Sequence, residues 1–427
     1  MKNVLIAHSE RLVNVGLRSA TLGTRFLFIF FLAKYLDVDA VGYYGIFTAT
    51  IGYCLYFVGL DFYIYLTREI IRAPNERRGE MLKGQAALSS ALYIIIAPAS
   101  LFFLTQSTWP GYLVWWFLPI LLLEYFNQEV SRLLIALSEQ IFASIILFVR
   151  QGSWALLAVV LMNWNAESRS LSLVMGLWGG AGLAAAALGL WKIRKLRFGG
   201  WENAIDWAWI KRGIAVSSAF LIATLALRGF QTIDRYWLET LAGIEFVGIY
   251  ILFLGLAGSM LVFLDASIFA YGYPALISYN HSGQNLAARN KVRQMFFQTL
   301  SACLLFGALS WLVLPHLLSW IGNPAYLDGL FLYPWIWVGV TLNALGLVPH
   351  YGLYGAGRDR PIIYSHLAAL PVFALTVLIL EHFSSTLAVP MGIIAAFAFI
   401  LIWKAGAYLR MVLHQSKADS SSQTQSQ

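Results

Sequence analysis

Apolar residues fill this chain in blocks of about 20 or more, separated by short polar stretches, and blocks of that length match the roughly 30 Å thickness of a bilayer core at about 1.5 Å per helical residue. The pattern predicts twelve spans, at about 12–34, 43–66, 84–105, 112–134, 140–163, 171–191, 214–237, 246–270, 294–316, 329–350, 361–381 and 386–408. The connections are short, the longest lying at about 191–213 and 271–293. The stretch Gln415 to Gln427 is polar and low in complexity, and it reads as disordered. The first block is too long for a cleaved signal and lacks a small-residue cleavage site, so it is expected to remain as the first span.

The polar positions inside these blocks carry the chemistry. Arg18, Arg25, Arg150, Arg228 and Arg235 all fall within predicted spans, at an insertion cost of roughly 2.5–3.5 kcal/mol each. Arg18 and Arg25 are seven residues apart, and so are Arg228 and Arg235. Seven residues make about two helical turns, so each pair lies on one face. Two such stripes point to an anion-accepting lumen, because the guanidinium fork binds two oxygens of a phosphate at once. The competing explanation is snorkelling, open to Arg18 near one surface and Arg235 near the other, and less so to the deeper Arg25 and Arg228. Arg18, Arg25, Arg228 and Arg235 are therefore the candidate substrate-binding residues.

Five further residues are candidates for gating or ion coupling. Asp61 and Asp265 are either gate carboxylates that pair with an arginine or structural ones held by neighbouring helices. Asp234, beside Arg235, neutralises local charge. Glu124 and Arg150 fall at similar depth on successive spans, which predicts an interhelical salt bridge, with Glu129 nearer the cytoplasm.

The polar set also recurs. Shifted by 210 residues, Asn14, Arg18, Thr21 and Arg25 fall on Thr224, Arg228, Gln231 and Arg235. Val41 to Phe47 resembles Val247 to Phe253, and Asp61 has a counterpart in Asp265. Six spans separate the copies, and an even number keeps them in the same orientation, as in a parallel duplication. The predicted organisation is a six-helix half over 1–195, a cytoplasmic amphipathic linker over 196–212, a second six-helix half over 213–410 and a disordered cytoplasmic tail over 411–427.

Composition sharpens the class. Of 427 residues, 59% are hydrophobic and 12% charged, with mean hydropathy +0.69. Soluble domains carry about 25% charged residues, so a soluble fold is excluded. The net charge of +8 is not a nucleic-acid footprint, because the basic residues gather in the loops of one side. Arg68, Arg72, Arg77, Arg78 and Lys83 begin that set, and Lys192, Arg194, Arg289, Arg293, Lys404 and Arg410 continue it. The positive-inside rule then places both termini in the cytoplasm. Cys54 and Cys303 lie in separate spans and suit neither a disulfide nor a metal site. The histidines are scattered without metal-ligand spacing, although His350 and His366 lie at or within spans where protons could travel. No phosphate-binding nucleotide loop is present, so ATP hydrolysis is not expected. Trp201 to Arg212 alternates aromatic and charged residues and predicts an interfacial helix joining the halves. No catalytic group, metal or cofactor is expected.

The run Leu32-Ala33-Lys34-Tyr35-Leu36 followed by Val41-Gly42-Tyr43-Tyr44-Gly45 and Gly59-Leu60-Asp61, with twelve spans in two parallel halves, resembles the polysaccharide-transporter branch of the multidrug/oligosaccharidyl-lipid/polysaccharide superfamily, the O-antigen type flippases. The resemblance covers nearly the whole chain. It implies an all-α, V-shaped membrane bundle with a central cavity in a bacterial inner membrane. It also implies a polyprenyl-diphosphate-linked oligosaccharide, of O-antigen, capsule or related type, carried from the cytoplasmic to the periplasmic leaflet. Its partners would be that lipid, the bilayer and a glycan polymerase or other assembly proteins. Two rivals stand beside it. A multidrug exporter of the same superfamily shares the fold but would favour an acidic cavity. A membrane-embedded glycan polymerase, ligase or glycosyltransferase shares the lipid-linked substrate but usually needs a sizeable external loop.

Overall fold

A computed structural model describes residues 2–106 and 109–424, with side chains described for 12–106, 109–218 and 221–415. Among the described residues the fold is all helical, with no strand. The first part of the chain forms α1 (Lys2–Tyr35), α2 (Val38–Gly59), α3 (Tyr63–Arg72), α4 (Asn75–Thr105), α5 (Gly111–Ala136), α6 (Gln140–Phe148), α7 (Trp154–Trp164) and α8 (Leu171–Lys195). The remainder forms α9 (Trp207–Ala242), α10 (Ile244–Leu264), α11 (Ala270–His281), α12 (Asn285–Ile321), α13 (Pro324–Asp328), α14 (Tyr333–Gly355), α15 (Asp359–Leu380) and α16 (Ala388–Thr424).

Every predicted span falls on one or two of these helices. Among the described residues ten helical stretches are long and apolar enough to cross a membrane, and α9 makes an eleventh when its two parts are counted as one span. The exception is α5, whose 26 residues suffice in length. Glu124, Asn127, Gln128 and Glu129 make it too polar to pass on composition. Its polar groups are met inside the protein, as Asn127 shows by donating to the Gly182 carbonyl at 2.8 Å. The chain is a multi-pass membrane protein.

The chain divides into two compact units, Met1–Ile222 and Ala223–Gln427. In the first, α5 packs along α8, while α1 packs on α6 and α7. Gly179 and Gly182 open the α8 surface to Trp116 and Leu123 of α5: a Cβ at Gly182 would stand 3.2 Å from Leu123 Cβ. Small residues permit this close approach where lipid supplies no hydrophobic drive. A π-helical turn, Val149–Ser153, separates α6 from α7 within one span. At the end of α2 the chain turns through Leu60 and Asp61, with φ of 46° and 51°, a left-handed conformation uncommon outside glycine. The short α3 follows and buries Leu66 and Ile70 in a cluster with Phe62, Met81, Leu88, Leu133, Trp209 and Ile210.

That cluster corrects the predicted linker. Residues 198–206 form no helix. They make a strap on α4, with the Gly79 amide donating to the Gly199 carbonyl at 2.8 Å and the Gly199 amide to the Asn75 carbonyl at 3.1 Å. Helix begins at Trp207, and Trp209 is 5% exposed against Phe62 and Tyr65. The start of α9 is therefore core of the first unit, and the boundary falls inside α9 rather than at 212/213.

In the second unit α14 is central, with α10, α11, α12 and α16 packed on it, and α16 also packs along α15. A π-helical turn, Asp265–Phe269, joins α10 to α11. Asp61 and Asp265 thus both mark helix irregularities, a left-handed turn in the first unit and a π turn in the second. The tail is corrected as well: α16 continues to Thr424, because lengthening an established helix avoids a new nucleation cost. The last three residues of the expected disordered tail lie outside the described residues.

Candidate functional site

The first arginine pair is placed by the packing of α1 on α6 and the π turn. Arg18 Nε donates to Ser144 Oγ at 3.2 Å, and Ser144 in turn donates to Asn14. Arg25 Nη1 donates to Gln151 Oε1 at 3.0 Å. Ser144 and Gln151 are themselves seven residues apart, so the cationic stripe of α1 lies along a polar stripe of the neighbouring span. Both arginines are exposed within the unit. Their described hydrogen-bond partners are neutral, which leaves the positive charge uncancelled.

The second pair is satisfied differently. Arg228 is exposed and donates to Gln231 Oε1 at 3.1 Å, one turn away on its own helix. Arg235 forms a salt bridge with Asp234 at 3.1 Å and also donates to the Gln231 carbonyl. Asp234, only 2% exposed, accepts as well from the Tyr250 hydroxyl at 2.8 Å and the Arg235 amide at 2.8 Å. Arg235 thus carries its own counter-charge. Three of the four candidate arginines keep only neutral partners among the described residues.

Glu124 and Arg150 do meet, with Arg150 Nε 3.3 Å from Glu124 Oε2 and both side chains under 10% exposed. The Trp178 indole donates to Glu124 Oε1 at 2.8 Å and the Trp154 indole to the Arg150 carbonyl at 2.9 Å. The two indoles stack 5.5 Å apart at 11°. This pair joins α5, the π turn, α7 and α8, and the π turn sets the angle at which Arg150 meets α5. Nearer the basic loops, Glu129 accepts from Gln85 at 2.6 Å and pairs with Arg132 at 2.6 Å. The Arg132 guanidinium lies 3.6 Å from the Tyr63 ring centroid. Asp61 is buried at its left-handed turn, whereas Asp265 is exposed.

One cluster escaped the sequence. Lys404, expected among the loop cations, is 2% exposed. It hydrogen-bonds His366 Nε2 at 2.9 Å and His350 Nδ1 at 3.2 Å. The two imidazoles stack at 15° with centroids 6.2 Å apart. Each ring nitrogen facing the lysine therefore acts as an acceptor while Lys404 is an ammonium. Among the described residues it has no carboxylate within salt-bridge distance. The available signal was position: residue 404 falls inside the last predicted span, where a lysine needs a partner.

No family model matches the sequence, and no curated protein matches it. The fold does have solved counterparts. The chain is similar to an inward-facing multidrug resistance transporter of the MATE family in the MOP superfamily, with a TM-score of 0.75 at 12% identity over 95% of this chain and 99% of that one. A MATE protein in the bent conformation gives 0.54 at 14% identity, covering 96% and 97%. A MOP superfamily transporter from Pyrococcus furiosus gives 0.56 at 12% identity, covering 94% of each. The chain has the fold of these membrane transporters.

Proposed function

We propose that this protein is a flippase that carries a polyprenyl-diphosphate-linked oligosaccharide from the cytoplasmic to the periplasmic leaflet of a bacterial inner membrane by alternating access. One observation carries the reading: the buried acids Glu124 and Asp234 each face an arginine, while three other arginines of the spans face no acid among the described residues. Glu124 is paired with Arg150 and Asp234 with Arg235. Arg18, Arg25 and Arg228 hold only Ser144, Gln151 and Gln231. The polarity thus available suits an anionic head group such as a diphosphate, bound through charge-assisted hydrogen bonds. Arg235 completes the set if Asp234 releases it. The polyprenyl tail stays in the bilayer while the polar glycan crosses. Both termini are cytoplasmic in this reading, and a glycan polymerase or other assembly protein receives the product.

The Pyrococcus furiosus transporter is described as having a binding pocket of reverse polarity that suggests a different function. The multidrug-exporter alternative rests on the fold alone. The enzyme alternative has less support, since the connections on the side away from the basic loops are short.

The test is the leaflet location of lipid-linked glycan after depletion of the protein, with Arg25→Ala and Arg228→Ala as rescue variants checked for expression. Accumulation on the cytoplasmic leaflet, unrescued by well-expressed variants, is the expected result. Normal translocation with unpolymerised glycan outside would sink the proposal in favour of the enzyme.

A further inference from the structure

The second unit contains a crevice whose walls change character along its length. Both α12 and α16 pack with α14, and the space beside Pro349 of α14 encloses about 420 Å³. Its walls are largely apolar, with Val292 and Phe296 on α12 facing Leu401 and Leu409 on α16. Arg289 and Arg293 also line it, four residues apart and so on one face of α12. Neither has an acidic partner within salt-bridge distance among the described residues. Arg289 Nη2 donates to the Val412 carbonyl at 3.0 Å, but its Nε is buried with no hydrogen-bond partner. The Arg293 guanidinium is exposed, 5.9 Å from the Phe297 ring centroid.

Length places these groups relative to the bilayer. The 37 residues of α12 extend roughly 55 Å, well beyond a hydrocarbon core of about 30 Å. Its first turns, with Arg289, Lys291 and Arg293, therefore reach the headgroup zone on the side of the basic loops. The remainder of the crevice descends along the acyl region. A cationic mouth above an apolar slot matches a ligand that is anionic at one end and hydrocarbon at the other. Basic pockets between membrane helices recognise anionic lipid head groups in this way.

We propose that the crevice between α12 and α16 binds an anionic phospholipid, its phosphate held by Arg289 and Arg293 and one acyl chain laid against Val292, Phe296, Leu401 and Leu409. The site lies wholly within the second unit and does not depend on what the protein transports. Two guanidiniums at the mouth without an acidic partner among the described residues distinguish the site from ordinary annular contact. Ala405 forms part of the wall, so a larger side chain there closes the slot to the acyl chain.

The experiment uses the purified full-length protein in mixed phosphatidylglycerol and phosphatidylcholine nanodiscs, with retained lipid measured by native mass spectrometry after extraction. Phosphatidylglycerol should be retained over phosphatidylcholine by about tenfold or more, as two interfacial arginines predict. That preference should vanish in R289Q/R293Q and persist in R289K/R293K. Ala405→Trp should reduce retention of both lipids. Equal retention of the two lipids, or an unchanged preference in R289Q/R293Q, would overturn the assignment. Preferential retention of a prenyl diphosphate would overturn it too, giving the crevice to the transported lipid. If the glutamine variant does not fold, quenching of Leu409→Trp by brominated phosphatidylglycerol decides: no quenching beyond that by brominated phosphatidylcholine rejects the site.

Discussion

An arginine inside a membrane helix needs acceptors, and the kind of acceptor decides whether its charge remains usable. Arg150 meets a buried carboxylate and two indoles in its surroundings, so it is part of the packing. Arg25 meets a glutamine amide and keeps its charge for another ligand. On the proposed function, Arg25→Ala and Arg228→Ala should each lower glycan translocation by about tenfold or more, the worth of a charge-assisted contact, with expression unchanged. Arg25→Lys keeps the charge but loses the planar fork, so its translocation rate should fall between alanine and wild type. Glu124→Gln and Arg150→Met each break a buried pair and should destabilise the protein by about 3–5 kcal/mol. In the double variant Glu124→Leu/Arg150→Met most of that loss should return, as thermal unfolding in detergent would register. If the single and double variants melt alike, the pair does not cross-link these helices. At Lys404 the same reasoning gives a near-neutral effect. Lys404→Met removes a buried cation that lacks a carboxylate, so the loss of two hydrogen bonds is offset by the desolvation no longer required. Its melting temperature should stay within a few degrees of wild type.

At the scale of helices, the sequence was legible wherever hydrophobic length was the signal. All twelve spans fell on helices, because an apolar block of bilayer length can satisfy its backbone in lipid only by forming one. The Glu124–Arg150 contact was legible for a related reason, since depth follows from residue count along two antiparallel spans. Features set by packing were not legible. The π turns at Val149–Ser153 and Asp265–Phe269 leave no composition cue. The strap at 198–206 exists because Gly199 fits against α4, and Trp209 is buried because Phe62 and Tyr65 receive it. Lys404 reads as a loop cation by its charge, and its partners His350 and His366 come from α14 and α15, far away in sequence. The tight α15–α16 contact also came only from the structure. A Cβ on Gly392 would stand 2.5 Å from Val377 Cγ2 and 3.0 Å from Phe373 Cδ2. Gly392→Leu should therefore force these helices apart and lower the yield of folded protein on size-exclusion chromatography, whereas Gly406→Ala, with nothing near it, should not.

Across the whole molecule, the two arginine pairs share their spacing but not their use. Arg18 and Arg25 reach across to a neighbouring span, while Arg228 and Arg235 find partners on their own helix. On the proposed function the substrate is an anionic lipid rather than a cationic drug. Expression in a drug-sensitive bacterial host should accordingly leave its tolerance of cationic dyes unchanged, and increased tolerance would favour the exporter reading. The burial of Trp209 in the first unit has a practical corollary for anyone dividing this chain in two. The exposed strap offers the obvious place to nick or split it, yet a break there would put a core side chain of the amino-terminal fragment on the carboxy-terminal one. The amino-terminal piece would be left with an open socket lined by Phe62 and Tyr65, and the other piece with an apolar stub. Complementing fragments should recover function only when the first extends past Ile210, because the most accessible cut does not coincide with the edge of the amino-terminal core.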